Sequence, residues 1–317
     1  MKSGRELFKG FLNNEPLSRP VFIPFIGDLL SRIEDESMQN LTSDPALWAN
    51  SLVKAIRLFG FDGIVTGFDS NLGARACGCE VSWENDTPVL LPLERDVNEE
   101  PQKSPSMELA LDVSKRSFSV CRRDLSCMAA LTGPYSLSEQ LFGSENANSQ
   151  LNKIKPLMVQ MTKAFCETKP DALVFMEGAC LSSALIETSH RRIFNTLKNI
   201  ASYYNIPTGL YIEDYQPDNV SGLAKLNMDM VILGPSVNND LPLSSEFWHL
   251  GDGSKGLGLG LPLNDIEKSM KLITLGLELY HENPGHGLFF TSSGAAGRDI
   301  DLDGLHALVS KISNLNL

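Results

Sequence analysis

Asp69, Glu177 and Glu213 are the residues of this chain best placed to do chemistry, because each follows a short apolar run. A carboxylate stationed where a buried segment emerges can move a proton or hold a metal. Phe68-Asp69, Glu177-Gly178 and Tyr211-Ile212-Glu213-Asp214 close three such runs, and Gly27-Asp28 closes a fourth. Five acidic residues at equivalent run ends are more than solubility needs. Asp28 and Asp214, with Asp299, fit equally well as helix N-caps, a role Asp fills readily. Tyr211, two residues before Glu213, supplies a hydroxyl that could donate a hydrogen bond. Phe25, Asp28, Tyr135 and Ser292 fall at other run ends and are expected to contact substrate.

The histidines say less. His190 and His306 lie within helical runs, His281 ends one, and His286 precedes an apolar run and so belongs to the opposite end. Only His249, in SEFWHLGDG, can reach the acidic end. The six cysteines, Cys77, Cys79, Cys121, Cys127, Cys166 and Cys180, make no CxxC pair, and are expected to be reduced and mostly buried. No GxSxG elbow, P-loop or HExxH occurs. The string GLGLGLP at Gly256 reads as a strand whose glycines let another element or a ligand come close.

The elements that must position these residues are eight short continuous apolar runs. They are Val21–Ile26, Gly63–Thr66, Met128–Thr132, Ala172–Met176, Thr208–Ile212, Asp229–Leu233, Gly256–Leu261 and Gly287–Thr291. Continuous rather than alternating runs suit parallel strands buried on both faces. Helical spacing fills the stretches Pro45–Phe59, Asn152–Phe165, Ser183–Tyr204, Asp265–Tyr280 and Asp303–Ile312. Eight such units predict an α/β fold, a (β/α)₈ TIM barrel, whose active site lies at the C-terminal ends of the strands. Residues Asn71 to Ser126 break the rhythm as an insertion between the second and third strands, carrying a short hairpin or turn and an acidic loop. Gly234–Lys255 forms a long connection after the sixth strand, over the mouth.

Composition bounds the rest. With 317 residues, 42% of them apolar and 21% charged, the chain is expected to form one barrel domain over residues 1–317. A net charge of −12 with no basic run argues against a nucleic-acid partner. No apolar run reaches the roughly 20 residues of a membrane helix. The N-terminus MKSGRELFKGFLNNE has no h-region and reads as an amphipathic helix, so a cytoplasmic protein is expected.

Several segments resemble the uroporphyrinogen decarboxylase-like superfamily, which includes corrinoid-linked methyltransferases of the methylcobamide:coenzyme M type. They are RPVFIPFIGD, GFDSNLGARACGCEV, LTGPYSLSEQLFG, PTGLYIEDYQPDNVSGLAKLNMDMVIL and TSSGAAGRDIDLDGLHALV, spanning Arg19 to about Val309. The resemblance implies a (β/α)₈ barrel and makes Asp69 the counterpart of the family's catalytic aspartate. Gln140 stands where the decarboxylase has a tyrosine and joins the substrate-contact candidates. The decarboxylase's arginine clamp is missing, since its segment here reads PFIGDLL, and such a site suits a polyanionic porphyrinogen poorly. The methyltransferase branch holds zinc with His-x-Cys and a later Cys. Tyr211-Ile212-Glu213 and Ala295 occupy those places here. Either no metal is held, or a different set holds it, with Glu177, Glu213 and His249 as the candidates for zinc.

The resemblance thus implies a corrinoid-dependent methyltransferase. It would move a methyl group between a small methylated substrate, such as an O-methyl ether, and a cobamide presented by a separate corrinoid protein. Asp69, Tyr211 and Glu213 would be its catalytic residues. The alternatives are a decarboxylase of a small acid that uses Asp69, with Arg75 and Arg298 the cations near the mouth, and a non-catalytic binding barrel.

Overall fold

The computed structural model of the chain describes residues 2–178, 181, 186–236, 256–282 and 287–317. Eight parallel strands form one sheet in the order β1 (Val21–Phe22), β10 (Gly287–Ser292), β9 (Gly256–Leu261), β8 (Met230–Leu233), β7 (Thr208–Ile212), β6 (Ala172–Glu177), β5 (Ser126–Thr132) and β2 (Gly63–Thr66). Helices surround them, and the sheet curls into a nearly closed barrel. The remaining pair, β3 (Val81–Glu84) and β4 (Thr87–Leu90), is an antiparallel hairpin within the expected insertion. Its two-residue turn, Asn85-Asp86, has φ of 50° and 65°, as a hairpin that follows the strand twist requires.

The barrel closes between β1 and β2 around Asp62, through its backbone N–H and its carboxylate. Asp62 donates its N–H to Phe22 O at 3.0 Å and accepts the Phe22 N–H at 2.9 Å. Arg19 grips the same carboxylate with two 2.7 Å hydrogen bonds. The first apolar run is shortened to Val21–Phe22 as a ladder strand. Pro24 has no N–H to donate, and the Phe25 N–H goes to the Ser292 side-chain Oγ at 2.8 Å instead of to a backbone carbonyl of β10.

The same staple recurs around the N-terminal face. Asp171, before β6, accepts the Cys127 N–H at 2.9 Å, and Asp229, before β8, accepts the Thr208 N–H at 2.8 Å. The amphipathic N-terminal helix, Gly4–Leu12, begins with a Ser3/Glu6 capping box and packs against β1, β5 and β10. Its Phe8 and Phe11 meet Phe289 of β10 edge-on at 6.0 and 4.9 Å. With one end built for stability, chemistry is left to the other.

Helix Pro45–Phe59 matches its expected bounds, with Asp44 capping one end and Gly60 in the left-handed region at the other. Cys77, Cys79, Cys121, Cys127 and Cys166 are free and buried, and burial pushes their thiols up. Cys180 lies outside the described residues, as do His249, His286 and most of the Gly234–Lys255 connection. Among the described residues, no helix is long and apolar enough to cross a membrane.

Candidate active site

β7 carries Tyr211 and, one residue beyond its end, Glu213. Tyr211 is fully buried. Its hydroxyl accepts the Gly294 N–H at 2.7 Å and donates to Glu213 Oε2 at 3.4 Å. Gly294 lies in the loop after β10, so this contact joins two barrel segments that are distant in sequence. The Phe25 ring meets the Tyr211 ring edge-on at 5.2 Å, and Ser292 fixes Phe25 through its backbone N–H. Gly234, after β8, must lack a side chain, because a Cβ there would lie 2.5 Å from the Tyr211 hydroxyl oxygen.

Burial sets the acidity of this pair. It raises the Glu213 carboxyl, Asp214 raises it further, and the Tyr211 hydrogen bond opposes both. The Tyr211 phenol is pushed up mainly by burial, so it acts as a neutral donor. A half-buried carboxyl that keeps its proton to higher pH than an ordinary glutamate can give that proton to a leaving group.

Glu177 closes β6 and does a different job. Its Oε1 accepts the Tyr135 N–H at 2.9 Å, and its Oε2 accepts the Ser136 N–H and hydroxyl, both at 2.8 Å. These N–H groups open the helix Pro134–Phe142, whose own N-cap residue, Gly133, has no side chain to offer. A Cβ on Gly133 would overlap the Glu177 carboxyl. Burial pushes Glu177 up to about 7, against the three hydrogen bonds, which pull it down.

Asp69 follows β2 and is held by its own segment. Its Oδ1 accepts the Asn71 N–H at 2.9 Å, and Arg75 pairs with Oδ2 at 3.4 Å. Gln140 Nε2 and Thr132 Oγ1 both donate to the carbonyl of Ser70, at 2.9 and 3.0 Å, fixing the turn that carries Asp69. Gln140 therefore supports the Asp69 turn through its amide nitrogen. Phe68 and Phe25 lie 6.3 Å apart, which links this group to the Tyr211 group.

Asp28 lines a cavity of about 500 Å³ at the mouth, together with the hairpin tip Asn85-Asp86, Ser292, Gly294 and Arg298. Crowding by surrounding protein and the charge of Asp86 raise its carboxyl, while Arg298 lowers it. Tyr135 is buried with its ring 4.9 Å from that of His190. His190 was not legible as a site residue. It is fully buried on the helix Thr188–Tyr203, its Nδ1 accepts the Glu187 N–H at 2.9 Å, and its Nε2 has no hydrogen-bond partner among the described residues. Nothing in its spacing separates it from a core histidine.

The expected zinc set does not assemble among the described residues, where no three of His, Cys, Asp and Glu gather. Glu177 spends both oxygens on a helix N-terminus, Glu213 turns to Tyr211, and Ala295 offers no donor. So committed, neither carboxyl is free to join a zinc set. His249, the third candidate, lies outside the described residues.

A family model for uroporphyrinogen decarboxylase (URO-D) matches residues 3–169, more than half of the chain. The protein belongs to the uroporphyrinogen decarboxylase family, and its barrel agrees with that assignment. No curated protein matches it. Among solved structures it is similar to a methyltransferase from Methanosarcina mazei, with a TM-score of 0.77 and 14% identity over 99% of each chain. It is also similar to a B12-independent methionine synthase from Shewanella sp. W3-18-1 in complex with selenomethionine, with a TM-score of 0.55 and 12% identity over 84% of this chain and 85% of that one. At these identities the likeness concerns the fold.

Proposed function

We propose that the protein is a methyltransferase that takes a methyl group from a small methyl ether and passes it to a cobamide carried by a separate corrinoid protein. The observation that carries this reading is the Tyr211–Glu213 pair at the barrel mouth, a buried phenol donating to a carboxyl that burial holds toward its protonated form. The match in fold to a methyltransferase over nearly the whole chain supports the reaction class. The mouth cavity of about 500 Å³ suits a small molecule. A macrocycle would therefore be presented from outside, on its own carrier.

Methyl ethers resist cleavage because alkoxide is a poor leaving group. Cob(I)alamin on its carrier would supply the nucleophile that takes the methyl group, leaving the electron pair of the broken methyl–oxygen bond on oxygen. The Glu213 proton moves to that oxygen and an alcohol or phenol leaves. The carboxylate that remains accepts the Tyr211 hydrogen bond, and Gly294 holds the phenol in line through its N–H. General acid catalysis of this kind contributes about 10²–10⁴-fold. Glu213 stands where one thiolate zinc ligand would be, and a carboxyl there accords with an oxygen leaving group.

A second reading is favoured by one observation. Asp69, held by Arg75 and Asn71, lies inside the stretch matched by the decarboxylase model. In that reading the protein removes CO₂ from a small acid, with Asp69 as the acidic group. The test is anaerobic incubation with cob(I)alamin and a panel of methyl ethers, following the loss of the cob(I)alamin absorbance. Consumption with a methyl ether supports methyl transfer. No consumption, with CO₂ released from a small carboxylic acid, would replace it with decarboxylation.

A further inference from the structure

Asp28 and Arg298 stand with opposite charges on the wall of one cavity, both of them exposed. The cavity, about 500 Å³, opens at the barrel mouth between the segment after β1, the hairpin tip and the loops after β9 and β10. Gly294 lines it, and the Gly294 N–H holds the Tyr211 hydroxyl, so the cavity adjoins the candidate acid. Among the described residues, neither the Asp28 carboxylate nor the Arg298 guanidinium has a hydrogen bond or ion pair, although each lies within the other's field. Asp28 stands at the N-cap position of helix Leu29–Glu34, yet its side chain makes no capping bond.

The other charges on the wall do not neutralise this pair. Asp86 spends its carboxylate on the Met38 N–H at 2.9 Å and the Gln39 N–H at 3.3 Å. Asp299 adds one more negative charge beside Arg298. The wall therefore offers one cation-binding and one anion-binding group, with acid in excess, which disfavours a polyanion. Two opposite charges on one wall, not paired with each other among the described residues, are complementary to a ligand bearing both charges. The planar guanidinium fork matches a carboxylate, and a lone carboxylate matches an ammonium.

We propose that this cavity binds a zwitterion of the amino-acid type, with its carboxylate on Arg298 and its ammonium on Asp28. Its methyl ether would then reach toward Tyr211 and Glu213, and this last clause alone rests on the methyl-transfer reading. The pair of anchors also explains why the cavity can dispense with the family's arginine clamp: one arginine serves one carboxylate.

The probe is O-methyl-L-serine, compared with 2-methoxyethylamine, which keeps only the ammonium, and 3-methoxypropanoate, which keeps only the carboxylate. Binding is titrated by saturation-transfer NMR at pH 7.5 without cob(I)alamin. The zwitterion should bind about tenfold more tightly than either half-molecule, the factor expected when one charge-assisted contact is lost. Asp28→Asn should remove its advantage over methoxypropanoate, and Arg298→Gln its advantage over methoxyethylamine. Both residues are exposed on the cavity wall, so neither variant threatens the fold. Equal binding of the zwitterion and the amine by the native protein, or wild-type affinity in both variants, would overturn the proposal. So would the absence of binding by all three probes. Zwitterion binding without methyl transfer would sink the proposed reaction and leave the binding site standing.

Discussion

The Tyr211 hydroxyl sits between Glu213 Oε2, 3.4 Å away, and the Gly294 N–H, 2.7 Å away. It ties the acid to the loop after β10. Tyr211→Phe removes both bonds and keeps the ring against Phe25. The Gly294 N–H would lose its acceptor, costing about 1–2 kcal/mol, measurable by urea denaturation. Because the hydroxyl lowers the Glu213 carboxyl, its loss should push that carboxyl further up. Carboxylate titration by infrared or NMR spectroscopy checks the direction, and a downward shift would contradict the pairing.

Glu177 gives the protein an unusual pH dependence. Its folded-state value, about 7, lies above its ordinary 4.5, so the native state binds this proton more tightly than the unfolded chain. The stability it contributes is complete below about 4.5 and is lost as pH rises through 7. The span corresponds to roughly 3 kcal/mol. Denaturation of the native protein and of Glu177→Gln at pH 5 and pH 8 isolates this share, because the glutamine cannot titrate. The stability difference, native minus variant, should be larger at pH 5 than at pH 8.

Gly133→Ala tests the same contact from the other side. The new Cβ would overlap the Glu177 carboxyl, and Glu177 cannot move without abandoning the N-terminus of the helix Pro134–Phe142. A loss of about 2–4 kcal/mol is expected, as for overpacking combined with a lost cap. Unchanged stability would mean that the cap is dispensable.

Arg19 and Asp62 close the barrel where no ladder joins β1 to β2. Both side chains are largely buried, with 14% and 8% exposure. Removing either leaves an uncompensated buried charge, and Arg19→Ala or Asp62→Ala should each cost about 3–5 kcal/mol. The double variant should cost less than the sum, which a double-mutant cycle reads directly.

Most of the barrel was legible in the sequence because parallel strands buried on both faces need unbroken apolar runs. Gly63–Thr66, Thr208–Ile212 and Gly256–Leu261 fall where those runs place them. The first run failed beyond Phe22 because Pro24 cannot donate to the sheet, a local rule that the run's hydrophobicity masked. The positions of Asp69, Glu177 and Glu213 at strand ends were legible in the same way. Their partners were not. Glu177 is held by Tyr135 and Ser136, and Tyr211 by Gly294, contacts between segments that only the closed barrel brings together. Glu177 and Glu213 read alike as acids after apolar runs, yet one caps a helix and the other meets a phenol. That difference comes from what the neighbouring strands present, which no spacing encodes.

The most direct test of the central claim is the rate of methyl transfer to cob(I)alamin from a methyl ether, compared between the native protein and Glu213→Gln. Glutamine keeps the size of the side chain but has no acidic proton to give. The account predicts a rate lower by about 100-fold or more in the variant, with its thermal unfolding unchanged. A variant that transfers the methyl group as fast as the native protein would contradict it.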